Sequence, residues 1–165
     1  MIPPPTVPGV LRGECAGAAG EEFPTDRHAG YPLALLHAHL SYAIAAAIFG
    51  DPVVLTRHTA AAMPQLPAMA GTYPPTVAHL LRGLALAWQA HATHDDERAE
   101  LLSELGDVTR WLAARAAEAP DNFLHLLRLL EAEGAWAVGD FRAAVLAFDA
   151  ARREVASRQR PWHRA

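Results

Sequence analysis

Apolar residues along this chain recur three and four positions apart, and no stretch alternates in the period-two manner of a strand, so the pattern predicts helices throughout. Tyr31 to Phe49 (YPLALLHAHLSYAIAAAIF) reads as a buried helix with Pro32 in its first turn, where the missing N–H costs nothing. Gly50 and Asp51 mark a turn, and a second helix runs from Pro52 to about Ala62. Met63 to Pro75 holds several prolines and Gly71, which predicts a loop or one short turn. A third helix spans Thr76 to Ala92, with Val77, Leu80, Leu81, Leu84 and Trp88 on one side. The polar stretch HATHDD breaks the pattern before a fourth helix, Glu97 to Ala117, whose Leu101, Leu102, Leu105, Val108, Trp111 and Leu112 face inward. Pro120 closes that segment.

The last part, Asp121 to Arg153, reads as a helical hairpin. Asp121 is placed to cap its first helix, which carries Leu124, Leu127, Leu130 and Trp136 at helical spacing. Gly139 and Asp140 repeat the turn chemistry of Gly50 and Asp51. Phe141, Ala144, Val145, Phe148 and Ala151 then lie on one face of the second helix. Ala132, Gly134 and Ala135 let the two backbones approach, and Phe141 and Phe148 are sized to fill the groove between them.

Three expected segments follow: a flexible Pro/Gly-rich lead-in over 1–30, a helical domain over 31–157, and a frayed tail over 158–165. The 165 residues carry a formal net charge of −4, which argues against non-specific nucleic-acid binding. Lysine is absent and every strong base is arginine. One cysteine, Cys15, excludes an internal disulfide and fits a reducing compartment. With no apolar run judged long enough to span a bilayer and no signal-peptide pattern, the expectation is a cytoplasmic chain without a membrane partner.

Nine histidines raise the question of metal. Neither Glu-x-x-His nor His-Glu-x-x-His occurs, and His37 and His39 are two apart, on different helix faces. His91 and His94 share a face by spacing, and Asp95 and Asp96 follow at once. That group can hold a divalent ion, or it is a solvated helix end where cationic His suits the dipole. Asp95 and Asp96 also resemble the aspartate-rich motif of terpene cyclases, but Ala99 stands where another acid is needed. Ser41, Ser103 and Ser157 lack a Gly-flanked turn, and no Gly-rich loop with Lys cradles phosphate. Trp88, Trp111 and Trp136 read as core, Trp162 as a tail residue, and His125 as a hydrogen-bonded structural histidine. No catalytic set and no cofactor are expected.

The last hairpin resembles a tetratricopeptide repeat, with Ala132, Gly139, Phe141, Ala144, Phe148 and Ala151 at the repeat's small and aromatic positions; Ala135 stands where a large aromatic is usual. On that basis the fold class is all-α, about six helices in three antiparallel pairs stacked as a short right-handed α-solenoid. The order FGD (Phe49–Asp51), GTYPP (Gly71–Pro75), Trp111, PDNFLH (Pro120–His125), LLEAE (Leu129–Glu133), Gly139–Asp140 and FDAA (Phe148–Ala151) resembles the helical region of large bacterial signalling ATPases. In that family an AAA-like or STAND-type ATPase, sometimes after a serine/threonine kinase, precedes a tetratricopeptide-like segment, and sensor or histidine-kinase modules often follow. The resemblance implies a non-catalytic scaffold that binds a protein segment, a neighbouring regulatory domain or its own copy. The competing expectation is a small-molecule- or metal-binding helical protein using His91, His94, Asp95 and Asp96, with His37 or His39.

Overall fold

The computed structural model describes residues 30–157, without the side chain of Asp95. The expected lead-in before Gly30 and the tail after Ser157, with Cys15, Phe23 and Trp162, lie outside the described residues. Six α-helices and one 3-10 helix follow in order: α1 (Pro32–Phe49), α2 (Pro52–Ala62), the 3-10 helix (Met63–Met69), α3 (Pro74–Ala92), α4 (Asp95–Glu118), α5 (Pro120–Ala137) and α6 (Phe141–Ser157). No strand occurs among the described residues, so the chain is all-α as its periodicity predicts. It divides into two compact units, with the boundary inside α3 between Leu81 and Arg82.

In the first unit α1 and α2 form a hairpin. Gly50 takes φ 67°, a left-handed conformation that a side chain would strain, and its N–H closes on the Ala46 carbonyl. The Asp51 N–H reaches the same carbonyl at 2.9 Å. The Asp51 side chain then accepts from the Val54 N–H at 3.0 Å and opens α2, with Pro52 at its first position. Among the residues buried in this unit are Leu36, Leu40, Ala43 and Ala46 from α1, Leu55, Thr59 and Ala62 from α2, Leu66 from the 3-10 helix, and two histidines, His39 and His58.

Two details depart from the sequence pattern. Met63–Met69 is a seven-residue 3-10 helix rather than a loop. Pro64 and Pro67 are three apart, so in a helix of three residues per turn both missing N–H groups fall on one edge. α1 also has 18 residues and no charged side chain, so by length and composition it is long and apolar enough to cross a membrane, contrary to the expectation that no run is. Its buried side, with His39, Leu40 and Ala43, packs in the first unit.

The second unit holds the end of α3 with α4, α5 and α6. α4 begins at Asp95, two residues earlier than its apolar pattern, and runs for 24 residues. A single extended residue, Ala119 (φ −143°, ψ 74°), joins it to α5. Asp121 is not the cap of α5. Pro120 disfavours a helical Ala119 and itself starts the helix, which leaves Asp121 in the first turn, where a carboxylate suits the positive helix end. The α5–α6 turn repeats the first hairpin: Gly139 at φ 84°, the Asp140 N–H on the Ala135 carbonyl at 3.0 Å, and the Asp140 carboxylate accepting from the Ala143 N–H at 3.0 Å.

The rotation of α6 differs from expectation. Ala144, Ala151 and Val155 are buried, but Phe141 is 55 % and Val145 63 % exposed. Phe148 is half-buried. Neither Phe141 nor Val145 fills a groove, because the alanine edge of α6 faces inward and lets the backbones approach. Trp136, expected in the core, is also exposed.

α3 lies against α5 at Gly83, where an added Cβ would lie 2.5 Å from Leu130 Cδ1 and 2.7 Å from Cδ2. Leu130 is fully buried. Arg82 reinforces the α3–α4 pairing by two parallel bonds of 2.8 Å to Glu104. Gly83→Ala should gain up to ~1 kcal/mol of helix propensity but lose ~1–3 kcal/mol to overpacking, a net destabilisation of about 1 kcal/mol in urea unfolding. A variant as stable as the parent would show that Leu130 can repack.

Candidate functional site

In the second unit the α3–α4 break and the α5–α6 turn converge on an open cleft of about 380 Å³, lined by His91, Thr93, His94, Arg98, Ala137 and Gly139. Arg98 organises it. From the first turn of α4 its Nε donates to the Ala90 carbonyl at 3.2 Å and its Nη2 to the Ala137 carbonyl at 2.8 Å. These are carbonyls of the last turns of α3 and α5, which have no partner within their own helices. One planar cation therefore serves two helix C-termini, where the backbone dipoles favour positive charge.

An aromatic ledge borders the cleft. The His91 ring lies 5.7 Å from Trp136, and Trp136 meets Phe141 edge-on at 5.0 Å. Trp136, Val138, Phe141, Val145 and Leu146 are all exposed apolar residues around the α5–α6 turn and the first half of α6.

His91 and His94 both line the cleft, but not for the reason their spacing suggests. α3 stops at Ala92 and His94 is extended (φ −127°, ψ 169°), so the two are not one turn apart on a helix. Asp96 is exposed in the first turn of α4, and the side chain of Asp95 lies outside the described residues. Among the described residues no group of three or more His, Cys, Asp or Glu is placed to hold a metal ion. Of the repeat-motif positions, Ala132, Ala144 and Ala151 are buried, Gly139 makes the turn, Phe148 is half-buried and Phe141 is exposed.

Two features escaped the sequence reading. Glu133 on α5 is held by Trp88 of α3, and burial pushes its carboxyl above the usual range against the opposing indole hydrogen bond. In the first unit His39 and His58 are buried and meet at 2.9 Å, Nδ1 to Nδ1. Arg57 Nη2 lies 3.3 Å from His58 Nε2, and Tyr42 stacks on the His58 ring at 4.8 Å. Burial first, then Arg57 and then His39, lower the His58 pKa to about 4. His37 is exposed and takes no part in this bond. The available signal was His37 and His39 on one arm of a predicted hairpin and His58 on the other, but spacing within either helix does not say which of them meet.

No protein-family model, no curated protein and no solved structure matches this chain.

Arg98→Ala should destabilise the chain by about 2 kcal/mol, because two charge-assisted bonds to helix ends are lost. Arg98→Lys should recover less than half, since a point donor cannot reach both carbonyls as a fork does. Urea unfolding followed by tryptophan fluorescence reads this directly, as Trp88, Trp111 and Trp136 all lie in this unit.

Proposed function

We propose that this chain is a non-catalytic helical interaction module that docks a protein partner, or a second copy of itself, on the apolar ledge beside the α3–α4/α5–α6 cleft. The observation that carries the reading is the exposure of Trp136, Val138, Phe141 and Val145, large apolar side chains around the α5–α6 turn, with Trp136 against Phe141. Isolated exposed apolar residues are ordinary, but a grouped aromatic and aliphatic surface beside polar donors is the usual make-up of an interface. Trp136 and the neighbouring Arg98 belong to the residue types that most often anchor binding.

The tetratricopeptide-like character of the last hairpin and the likeness to the helical region of signalling ATPases support the same reading. In such arrays the helix pairs present surface while catalysis resides in other modules. The Gly–Asp turn, used at Gly50–Asp51 and again at Gly139–Asp140, fits a chain built from repeated hairpins.

The double variant Phe141→Asp/Val145→Asp tests the reading. Both residues are exposed, so unfolding should stay within about 0.5 kcal/mol of the parent. Self-association in sedimentation equilibrium, or retention of a protein partner, should drop at least tenfold. A parent chain that is strictly monomeric and retains no partner, or a variant that associates as the parent does, would overturn it.

A further inference from the structure

The His39–His58 contact admits one arrangement of protons. A guanidinium has donors only, so Nε2 of His58 must accept from Arg57. Neutral His58 then carries its proton on Nδ1 and donates it to Nδ1 of His39, 2.9 Å away. His39 in turn keeps its own proton on Nε2. The chain of donation runs one way, from Arg57 through His58 to His39.

A further proton has no place in this chain. On His39 Nδ1 it would point two N–H groups at each other across 2.9 Å. On His58 Nε2 it would point at the Arg57 cation 3.3 Å away. Both rings are buried, and Tyr42 covers one face of His58 at an interplanar angle of 12°, so neither imidazolium can be rehydrated in position. Tyr42 of α1 and Arg57 of α2 lie against His58, and among the described residues the 3-10 helix, MPQLPAM, carries no titratable side chain. Arg57, acting on both rings, and His39, acting on His58, disfavour protonation.

We propose that the His39–His58 pair is an acid-sensitive latch, which holds α1 against α2 while both rings are neutral and releases that hairpin when either ring takes up a proton.

The direction follows from which state binds the proton. A histidine in the opened chain titrates near its ordinary 6.5, whereas burial and Arg57 hold that of His58 in the closed hairpin at about 4. The latch is therefore fully effective above pH ~6.5 and weakens as pH falls towards ~4, because over that range the open form binds a proton that the closed form rejects. Between pH 7.5 and 5 the closed-to-open ratio should fall about 30-fold.

The test uses the full chain and amide hydrogen exchange read peptide by peptide, corrected for intrinsic rates. Protection across residues 32–62 should fall on the order of 30-fold between pH 7.5 and 5, and residues 95–157 should respond several-fold less. His58→Gln should flatten the response of 32–62 to below about threefold. Equal protection at both pH values in the parent, or an undiminished response in His58→Gln, overturns the latch. Should that variant not fold, nitrogen-resolved NMR of the parent's histidines decides. His58 protonated on Nδ1 and His39 on Nε2, both neutral at pH 6.5, is required, and any other tautomer pair or a charged ring at that pH overturns it.

Discussion

Helices whose buried faces are largely alanine must lie close together, because a methyl group barely reaches beyond the backbone and a wider spacing would leave voids. Alanine and leucine supply most of the core here: Ala43, Ala46 and Leu36 in α1, Ala85, Ala87 and Leu86 in α3, Ala132 and Leu130 in α5, Ala144 and Ala151 in α6. Gly83 is the extreme case, since even one more carbon would overlap Leu130. The same constraint shapes the surface. α6 turns its alanine edge inward, so Val145, next to Ala144, projects outward. Phe141, at the first position of α6, meets Trp136 edge-on instead of filling a groove.

Closely packed helices also bring their ends together, and there the unpaired backbone groups need partners. Two of the turns solve this locally. A left-handed glycine returns N–H groups to the finishing helix, and the following aspartate accepts from the next one, at Gly50–Asp51 and at Gly139–Asp140. The ends of α3 and α5 gain further donors from a distant residue, Arg98 of α4. That choice leaves a cleft rather than a filled joint, with His91 and His94 on its wall and the aromatic ledge at its rim. The surface proposed for docking is thus a by-product of how the helices end and how closely they pack.

The first unit carries its polarity inside. Thr59 returns its hydroxyl to the Leu55 carbonyl of its own helix at 2.8 Å. The histidine pair is different, because its bond depends on where protons sit. Arg57 is exposed, yet its guanidinium orients a buried ring and thereby the ring beyond it. A polar contact of this kind is conditional on pH in a way that the leucine contacts around it are not.

Helix positions, the two glycine–aspartate turns and the absence of strands among the described residues were legible in the residues themselves, because helix formation, a left-handed glycine and an aspartate cap are settled within a few neighbouring positions. Pro120 was read only as a stop: α4 does end at Glu118, just before it, and the same ring also opens α5, since it disfavours a helical residue ahead of it and suits a first turn. The rest depended on how far each helix is rotated about its axis and which helix faces it. His39 meets His58 across 19 positions and Arg98 reaches Ala137 across 39, and no periodicity records such distances. Nor could the pattern separate Ala144 from Val145 as the residue that turns inward. Amphipathicity marks a broad apolar side, and only the approach of a second backbone selects the narrow strip that is buried.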